Sequence, residues 1–475
     1  MAAIPNDVFF ASIGELNARL LAREFPAEDL ARAFSARLER LGPQYNALAL
    51  PLPQQARRQA IAAGKDIKIG RLRGPLQGVP YGVKDVLSVA AQLTTWGAKP
   101  YAGQVFDYSA TVIEKLDSVG AVLTGKLSMV ELAGAGGYGS TSASLFGPGL
   151  NPWDRAHWSG GTSSGPAAAV AAGLVTFAIG SEASGSIVTP ASFCGVTALR
   201  PTYGLVGRHG AMTLSWTLDK LGPLARSAED CGHILQAISG KDAKDAGSAG
   251  KSFYYTPQYV RPLKELKAGF APVDFAERAQ PSARAAFQSA LAALRETGVQ
   301  LVETRLPQFP YGPVLSAILG SEAASVFESL IASPKVYDLA DPAQIAGLQA
   351  ALEIPARQYL KAMRLRRLMQ QAYAKLFADV DLLVTFGRSG PAPNIELPVG
   401  RAVVPPEGSD PGFYGIIQAG NLAGLPALVL PCGFAGNLPV ALQLVGAPFA
   451  ENTLLAVGKE FQTRTDWHKR RPEGV

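Results

Sequence analysis

The sequence predicts an α/β protein, a sheet covered by helices on both faces. Three observations carry this. Segments of helical periodicity alternate with short apolar runs bounded by Gly and Pro. Those runs are apolar throughout, the pattern of strands buried on both sides. Hydrophobic residues fill 48% of the 475 positions, enough for a large core. Length alone allows about three domains. Residues 241–251 (KDAKDAGSAGK) read as a surface loop or a junction between lobes, but the elements on either side are of one kind, so one extended unit over residues 1–475 is expected.

Ser12-Ile13-Gly14-Glu15 has capping-box spacing, and Leu16, Leu20 and Leu21 follow at helical intervals. A second helix opens at Pro26, with Leu30, Phe34 and Leu38 on one face. Between Gly74 and Val89 the pattern becomes short apolar pieces, a buried strand ending near Lys84. Residues 112–119 read as a helix and 120–125 as the next strand. Further on, 282–297 and 356–377 are amphipathic helices, and 381–385, 427–430 and 441–445 are short strands with Gly or Pro nearby.

Composition excludes several functions. Lys and Arg number 44 against 38 Asp and Glu, a net charge of +6 spread along the chain. The only clusters, residues 364–367 (RLRR) and 469–471, read as solvated helix faces, so no nucleic-acid partner is expected. Cys194, Cys231 and Cys432 are widely separated, and the four histidines lack ligand spacing, so neither a disulfide framework nor a metal site is expected. The most apolar stretch, residues 166–180, is too short to span a bilayer and reads as buried core. No basic segment precedes an apolar run at the start, which makes a cytoplasmic location the default.

The chemistry concentrates in residues 159–199. Residues 167–174 favour a helix, and the Gly/Ser/Thr run before them places Thr162 to Ser164 at its N-terminus. A strand over 175–179 returns the chain about the length of that helix, so the loop 180–186 meets the first loop. Thr162 and Ser186 thereby become candidate paired hydroxyls. Ala183-Ser184-Gly185-Ser186 offers consecutive backbone N–H groups with little side-chain bulk, as an oxyanion site needs. The same Ser and Thr residues would serve equally as helix caps and turn fillers.

These segments resemble the amidase signature family, in which a Gly-Gly-Ser-Ser-Gly loop, an Ala-rich helix and a Gly-Ser/Thr-Asp-x-Gly-Gly-Ser-Ile loop occur at this spacing. Here they stand as Gly160-Gly161-Thr162-Ser163-Ser164 and Gly180-Ser181-Glu182-Ala183-Ser184-Gly185-Ser186-Ile187. Gly78-Val79-Pro80-Tyr81-Gly82-Val83-Lys84-Asp85 is similar to the family's lysine segment, and residues 147–154, 200–204, 421–426 and 431–446 fit as well. The motifs cover about residues 10–235 and 365–472, densest from 70, while 240–360 match loosely and would form a variable pocket region. The resemblance implies the amidase signature fold, a large mixed central sheet in an α/β/α arrangement, and an amide hydrolase needing no metal and no cofactor.

It also implies roles. Ser186 would be the acylated nucleophile, Lys84 the base and Thr162 the relay hydroxyl, at a position often flanked by a cis peptide. Backbone amides of Ala183, Ser184, Gly185 and Ser186 would hold the oxyanion, supported by Gly161, Ser163 and Glu182. The apolar surroundings of Lys84 would lower its pKa, while Asp85 would oppose this if its carboxylate faced inward. Family layout offers Met129, Gly136, Tyr138, Ile187, Val188, Leu319, Phe413 and Ile417 as pocket residues. Four departures stand out: Thr162 for serine, Glu182 for aspartate in a tight loop, Val188 for arginine, and Phe386-Gly387 for a Pro-containing turn. They weaken a glutaminase subunit of an amidotransferase and favour a neutral or aromatic acyl group. The expected substrate is a small linear amide or anilide, with a carbamate or ester as the alternative, and the chain acts as monomer or homodimer without a membrane. A Ser-His hydrolase using His157 or His209, and a noncatalytic relative, are the competing readings.

Overall fold

The computed structural model describes residues 4–399 and 404–475. Its strands are β1 (Leu48–Pro51), β2 (Pro80–Lys84), β3 (Val122–Leu127), β4 (Leu150–Asn151), β5 (Asp154–Trp158), β6 (Phe177–Glu182), β7 (Thr197–Arg200), β8 (Lys220–Ala225), β9 (Lys267–Phe270), β10 (Gln300–Glu303), β11 (Leu382–Phe386), β12 (Ala427–Ala435) and β13 (Leu438–Gly446). β4 and β5 form a ribbon of their own. The other 11 make one sheet in the order β1-β3-β2-β6-β8-β7-β12-β13-β11-β9-β10. The pairs β3–β2, β2–β6, β11–β9 and β9–β10 are parallel and the rest antiparallel, so the sheet is mixed, as the resemblance implied.

Both faces are covered. Along β6, β12 and β13, Phe177, Ile179, Leu428, Leu430, Leu442 and Leu444 join a core containing Phe34, Phe287 and Phe461, while Ala178, Val429 and Ala441 join another around the Ala-rich helix Ser164–Ala171. That alternation is the two-residue period of a strand with apolar layers on either side. The helix Ser164–Ala171 is buried on every side, which its small residues permit.

Strong local signals are matched by the elements they announce. Ser12 Oγ accepts from the Glu15 amide and the Glu15 carboxylate accepts from the Ser12 amide, capping the helix Ile13–Leu21. The helix Ala27–Leu41 buries Leu30, Phe34 and Leu38. The strand expected at 175–179 instead runs as Phe177–Glu182, because β2 lies on one side and β8 supplies ladder partners up to Glu182 opposite Lys220. Glu182 therefore ends a strand and does not sit in a tight loop. The segments 427–430 and 441–445 belong to one long hairpin, β12–β13.

The middle of the chain contributes β9 and β10 to the sheet edge, and residues 241–251 form a loop beside a sheet that continues past it. Residues 364–367 are not a uniformly solvated face. Arg366 is 7% exposed and donates to the carbonyls of Leu422 and Thr217, since an arginine inside a packed helix interface must find acceptors. Cys194, Cys231 and Cys432 are buried free thiols. Among the described residues no helix is long and apolar enough to cross a membrane.

Candidate functional site

Lys84 is the last residue of β2, between β3 and β6, and its side chain is fully buried. The Nζ donates to Thr162 Oγ1 at 2.6 Å and to Ser181 Oγ at 2.9 Å. Burial pulls its pKa down to about 7, while the carboxylates of Asp219 and Glu182 act in the opposite direction. Asp85 does not take part. It turns to Lys126, 2.7 Å away, and accepts from the Thr95 amide, so its charge is neutralised on the far side of the strand end.

Thr162 lies two residues before the helix Ser164–Ala171 and is 3% exposed. Its methyl points toward the loop at Gly134, where an added Cβ would lie 3.4 Å from it, so the extra carbon of threonine is accommodated away from Lys84. Gly161 precedes it at φ +52°, and a Cβ there would come 2.5 Å from Pro190 Cδ, which only glycine avoids. Ser163 ties the two loops: its amide donates to the Ser186 carbonyl at 3.2 Å and its hydroxyl to the Ser181 carbonyl at 3.2 Å. Every described peptide bond is trans, including those flanking Thr162, so the implied cis peptide is absent there.

The loop 183–186 is strapped from beneath by Glu182. Its Oε2 accepts from the amides of Ile187 at 2.7 Å and Val188 at 3.0 Å, and its Oε1 from Arg200 Nη1 and Asn421 Nδ2, both at 2.8 Å. Burial disfavours the charged form, but the guanidinium and these donors outweigh it and lower the carboxyl pKa to about 2. The longer glutamate thus reaches from the strand end across the loop to the first turn of the helix Val188–Cys194. Among the described residues, none of the amides of Ala183, Ser184, Gly185 and Ser186 donates within the chain.

Ser186 and Thr162 line one cavity of about 460 Å³, walled by Met212, Leu214, Trp216 and Leu221. The Ser186 hydroxyl has no hydrogen-bond partner among the described residues. His209 lines the same cavity but stacks on Tyr108, and His157 lies 3.0 Å from Asp154; neither bonds to Ser186. Arg208 on the wall is held by Asp245 at 2.7 Å, and Asp219 accepts from the amides of Leu214 and Ser215. Burial pushes the Asp219 carboxyl up to about 6 against those amides.

None of the eight sequence-based pocket candidates lines this cavity. Phe413 and Ile417 line a second one, of about 410 Å³, whose wall includes Ser184 and Gly185 of the nucleophile loop. Met129, Ile187 and Val188 are packed core, and Leu319 lies at a core edge. Gly136 is a close-approach position, where a Cβ would meet the Leu348 amide at 2.6 Å, and Tyr138 packs edge-on against Trp158. Positions beside a motif alternate between site and core, so proximity along the chain misplaces such residues. Sequence reasoning also misses Ser181, Arg200, Asp219 and Asn421 as site residues. Of these Ser181 has a readable signal, since it lies inside the motif at 180–187, two residues after the apolar strand core.

The Amidase family model matches residues 29–455. The chain is 35% identical to a glutamyl-tRNA(Gln) amidotransferase subunit of Chloroflexus aggregans (strain MD-66 / DSM 9485) over 98% of its own length and 99% of the relative's. A solved peptide amidase from Stenotrophomonas maltophilia superposes with a TM-score of 0.81 at 29% identity, covering 96% of this chain and 97% of the other. A bacterial aryl acylamidase at 20% identity shares the fold, with a TM-score of 0.85 over 98% and 100%. The chain belongs to the amidase signature family and is a hydrolase of carbon–nitrogen bonds other than peptide bonds.

Proposed function

We propose that the chain hydrolyses linear carboxylic amides or anilides with a neutral or aromatic acyl group, through an acyl-enzyme on Ser186. The 2.6 Å bond between Thr162 and a buried Lys84 with a pKa near 7 carries this reading. A neutral amine at that place accepts the Thr162 proton while Thr162 accepts that of Ser186, whose Oγ attacks the carbonyl carbon. Free amides of residues 183–186 stabilise the developing oxyanion. The relay then runs backward: Thr162 donates to the amide nitrogen, the C–N bond breaks, and the amine leaves. Water repeats the attack, its proton passing to the relay and on to Ser186 as the acid is released. Ser181 orients the amine by accepting its other N–H, and Glu182 is a positioning residue for the loop.

The 35% identity to an amidotransferase component supports a glutaminase reading within a larger assembly. The cavity wall favours the neutral substrate: Arg208 is committed to Asp245, and Asp219 to two amides. A carbamate differs only by an alkoxy oxygen on the acyl carbon, and the same relay serves it. Assay against a matched nitroanilide, aryl carbamate, ester and glutamine is expected to show the anilide turned over and glutamine at least about tenfold poorer in kcat/KM, a difference of about 1.4 kcal/mol. Turnover of the ester alone would refute amide hydrolysis.

Thr162→Ser is expected to keep activity within about threefold and Thr162→Val to lose about 10²-fold, because the hydroxyl carries the proton and the methyl packs near Gly134. Steady-state kinetics on both variants checks this, and equal losses would remove Thr162 from the relay.

A further inference from the structure

The second cavity, about 410 Å³ in volume, is lined by an arginine that has no ion pair among the described residues. Arg388 follows β11 at the bend 387–390 and is partly buried on the cavity wall. Among the described residues its guanidinium makes no hydrogen bond and no ion pair. The remaining residues, 1–3 and 400–403, carry no acidic side chain. The other charged groups on this wall differ. Arg278 donates to Ser409 Oγ and the Asp410 carbonyl, and Arg284 to the carbonyls of Ala279 and Glu277. Asp274 accepts from Thr385 Oγ1 at 2.9 Å and from the Phe413 amide at 3.0 Å, and the Glu277 side chain is not bonded to Arg388. Arg278 and Arg284 are each held by oxygens of the chain, whereas Arg388 has no such partner among the described residues.

An arginine stays charged, and its five donors are a fork matched to a carboxylate. Desolvation lowers its pKa here, with only the nearby Tyr138 phenol in opposition. Tyr138 in turn packs against Gly134, beside the Thr162 methyl, so the phenol that feels the Arg388 charge adjoins the relay residue. On the other side the cavity is bounded by Ser184 and Gly185, whose amides belong to the candidate oxyanion loop, and by the apolar Phe386, Phe413 and Ile417.

We infer that Arg388 makes this cavity a carboxylate subsite, so that the preferred amide carries a carboxylate several bonds from the scissile carbonyl. The inference rests on the amide-hydrolase reading and deepens it: the group next to the scissile bond stays neutral, and the remote end is anionic. The acyl group is neutral, so the carboxylate belongs to the leaving amine, and the acyl end serves as the control below.

Two substrate pairs test it. Pentanoyl and glutaryl 4-nitroanilide differ by a carboxylate on the acyl end, and butyranilide and N-butyryl-4-aminobenzoate by one on the amine. Wild type is expected to favour the charged member of the amine pair in kcat/KM and not that of the acyl pair, and Arg388→Met to lower the amine-pair ratio about ten- to hundredfold. Arg388→Lys, which keeps the charge but not the fork, is expected to lower it less, and it gives the reading if the methionine variant does not fold. Calorimetric binding of 4-aminobenzoate, reduced tenfold or more by the same substitutions, reports the subsite without turnover. An amine-pair ratio that Arg388→Met leaves unchanged, a preference for the glutaryl anilide, or carboxylate binding that Arg388→Met leaves intact overturns the inference. Binding by an enzyme that cleaves none of the four amides overturns the amide reading and leaves the subsite standing.

Discussion

Replacing Lys84 by methionine is expected to lower kcat/KM for amide hydrolysis by about 10²–10⁴-fold at pH 7 without loss of fold. Methionine fills nearly the same buried volume and has no amine to desolvate. The sign of the stability effect follows. Lys84 has a folded pKa near 7 against an ordinary 10.5, so burying it in charged form opposes folding, fully below pH 7 and less as pH rises toward 10.5. Removing it should leave the melting temperature at pH 7 unchanged or raised. In the parent enzyme kcat/KM should rise with pH along a limb centred near 7, as the neutral amine appears. Asp219 raises the Lys84 pKa, so Asp219→Asn is expected to move that limb to lower pH. Stopped assays from pH 5 to 9 check both. A Lys84→Met variant with parental kcat/KM, or a flat pH profile, would refute the relay.

Glu182→Gln is expected to cost about 3–5 kcal/mol of stability, because it leaves the Arg200 guanidinium charged and uncompensated where both side chains are fully buried. Glutamine can still accept from the Ile187 and Val188 amides, but its NH2 then faces the Arg200 and Asn421 donors, so the loss reports the ion pair together with the Asn421 bond. The pH dependence is a second signature. The folded carboxyl titrates near 2 against an ordinary 4.5, which contributes about 3 kcal/mol above pH 4.5 that fades as pH falls toward 2. Urea denaturation at pH 7 and pH 3 should show the parent losing stability on acidification and the variant losing less. A difference below about 1 kcal/mol at pH 7 would mean that the pair does not hold the loop. Activity should fall along with stability, since the four free amides are positioned by this carboxylate.

Lys84, Thr162 and Ser186 are readable in the sequence because each lies in a short run whose local chemistry is unusual: a strand end, a Gly-rich helix start and a small-residue loop. The helices at Ser12 and Pro26 are readable for the same reason, their caps and periodicity being set within a few residues. Strand ends are not. Whether β6 stops at residue 179 or 182 depends on Lys220 lying opposite, and nothing in the segment itself announces that partner. Part of the pocket is misplaced by sequence, because Met129, Ile187 and Val188 sit beside motif residues along the chain yet turn into the core, whereas Phe413 and Ile417 do line a cavity.

Motif spacing, the α/β character of the chain and the kinds of atom available for proton transfer follow from residue type and local periodicity, and they can be read before any folding is known. The tuning of those atoms arises with the fold. Folding sets Asp85 against Lys126 and away from Lys84, clamps Glu182 between Arg200 and Asn421, and leaves Arg388 without an ion pair among the described residues. Ion pairing and desolvation depend on distances between groups tens to hundreds of residues apart along the chain, and no local pattern encodes those distances.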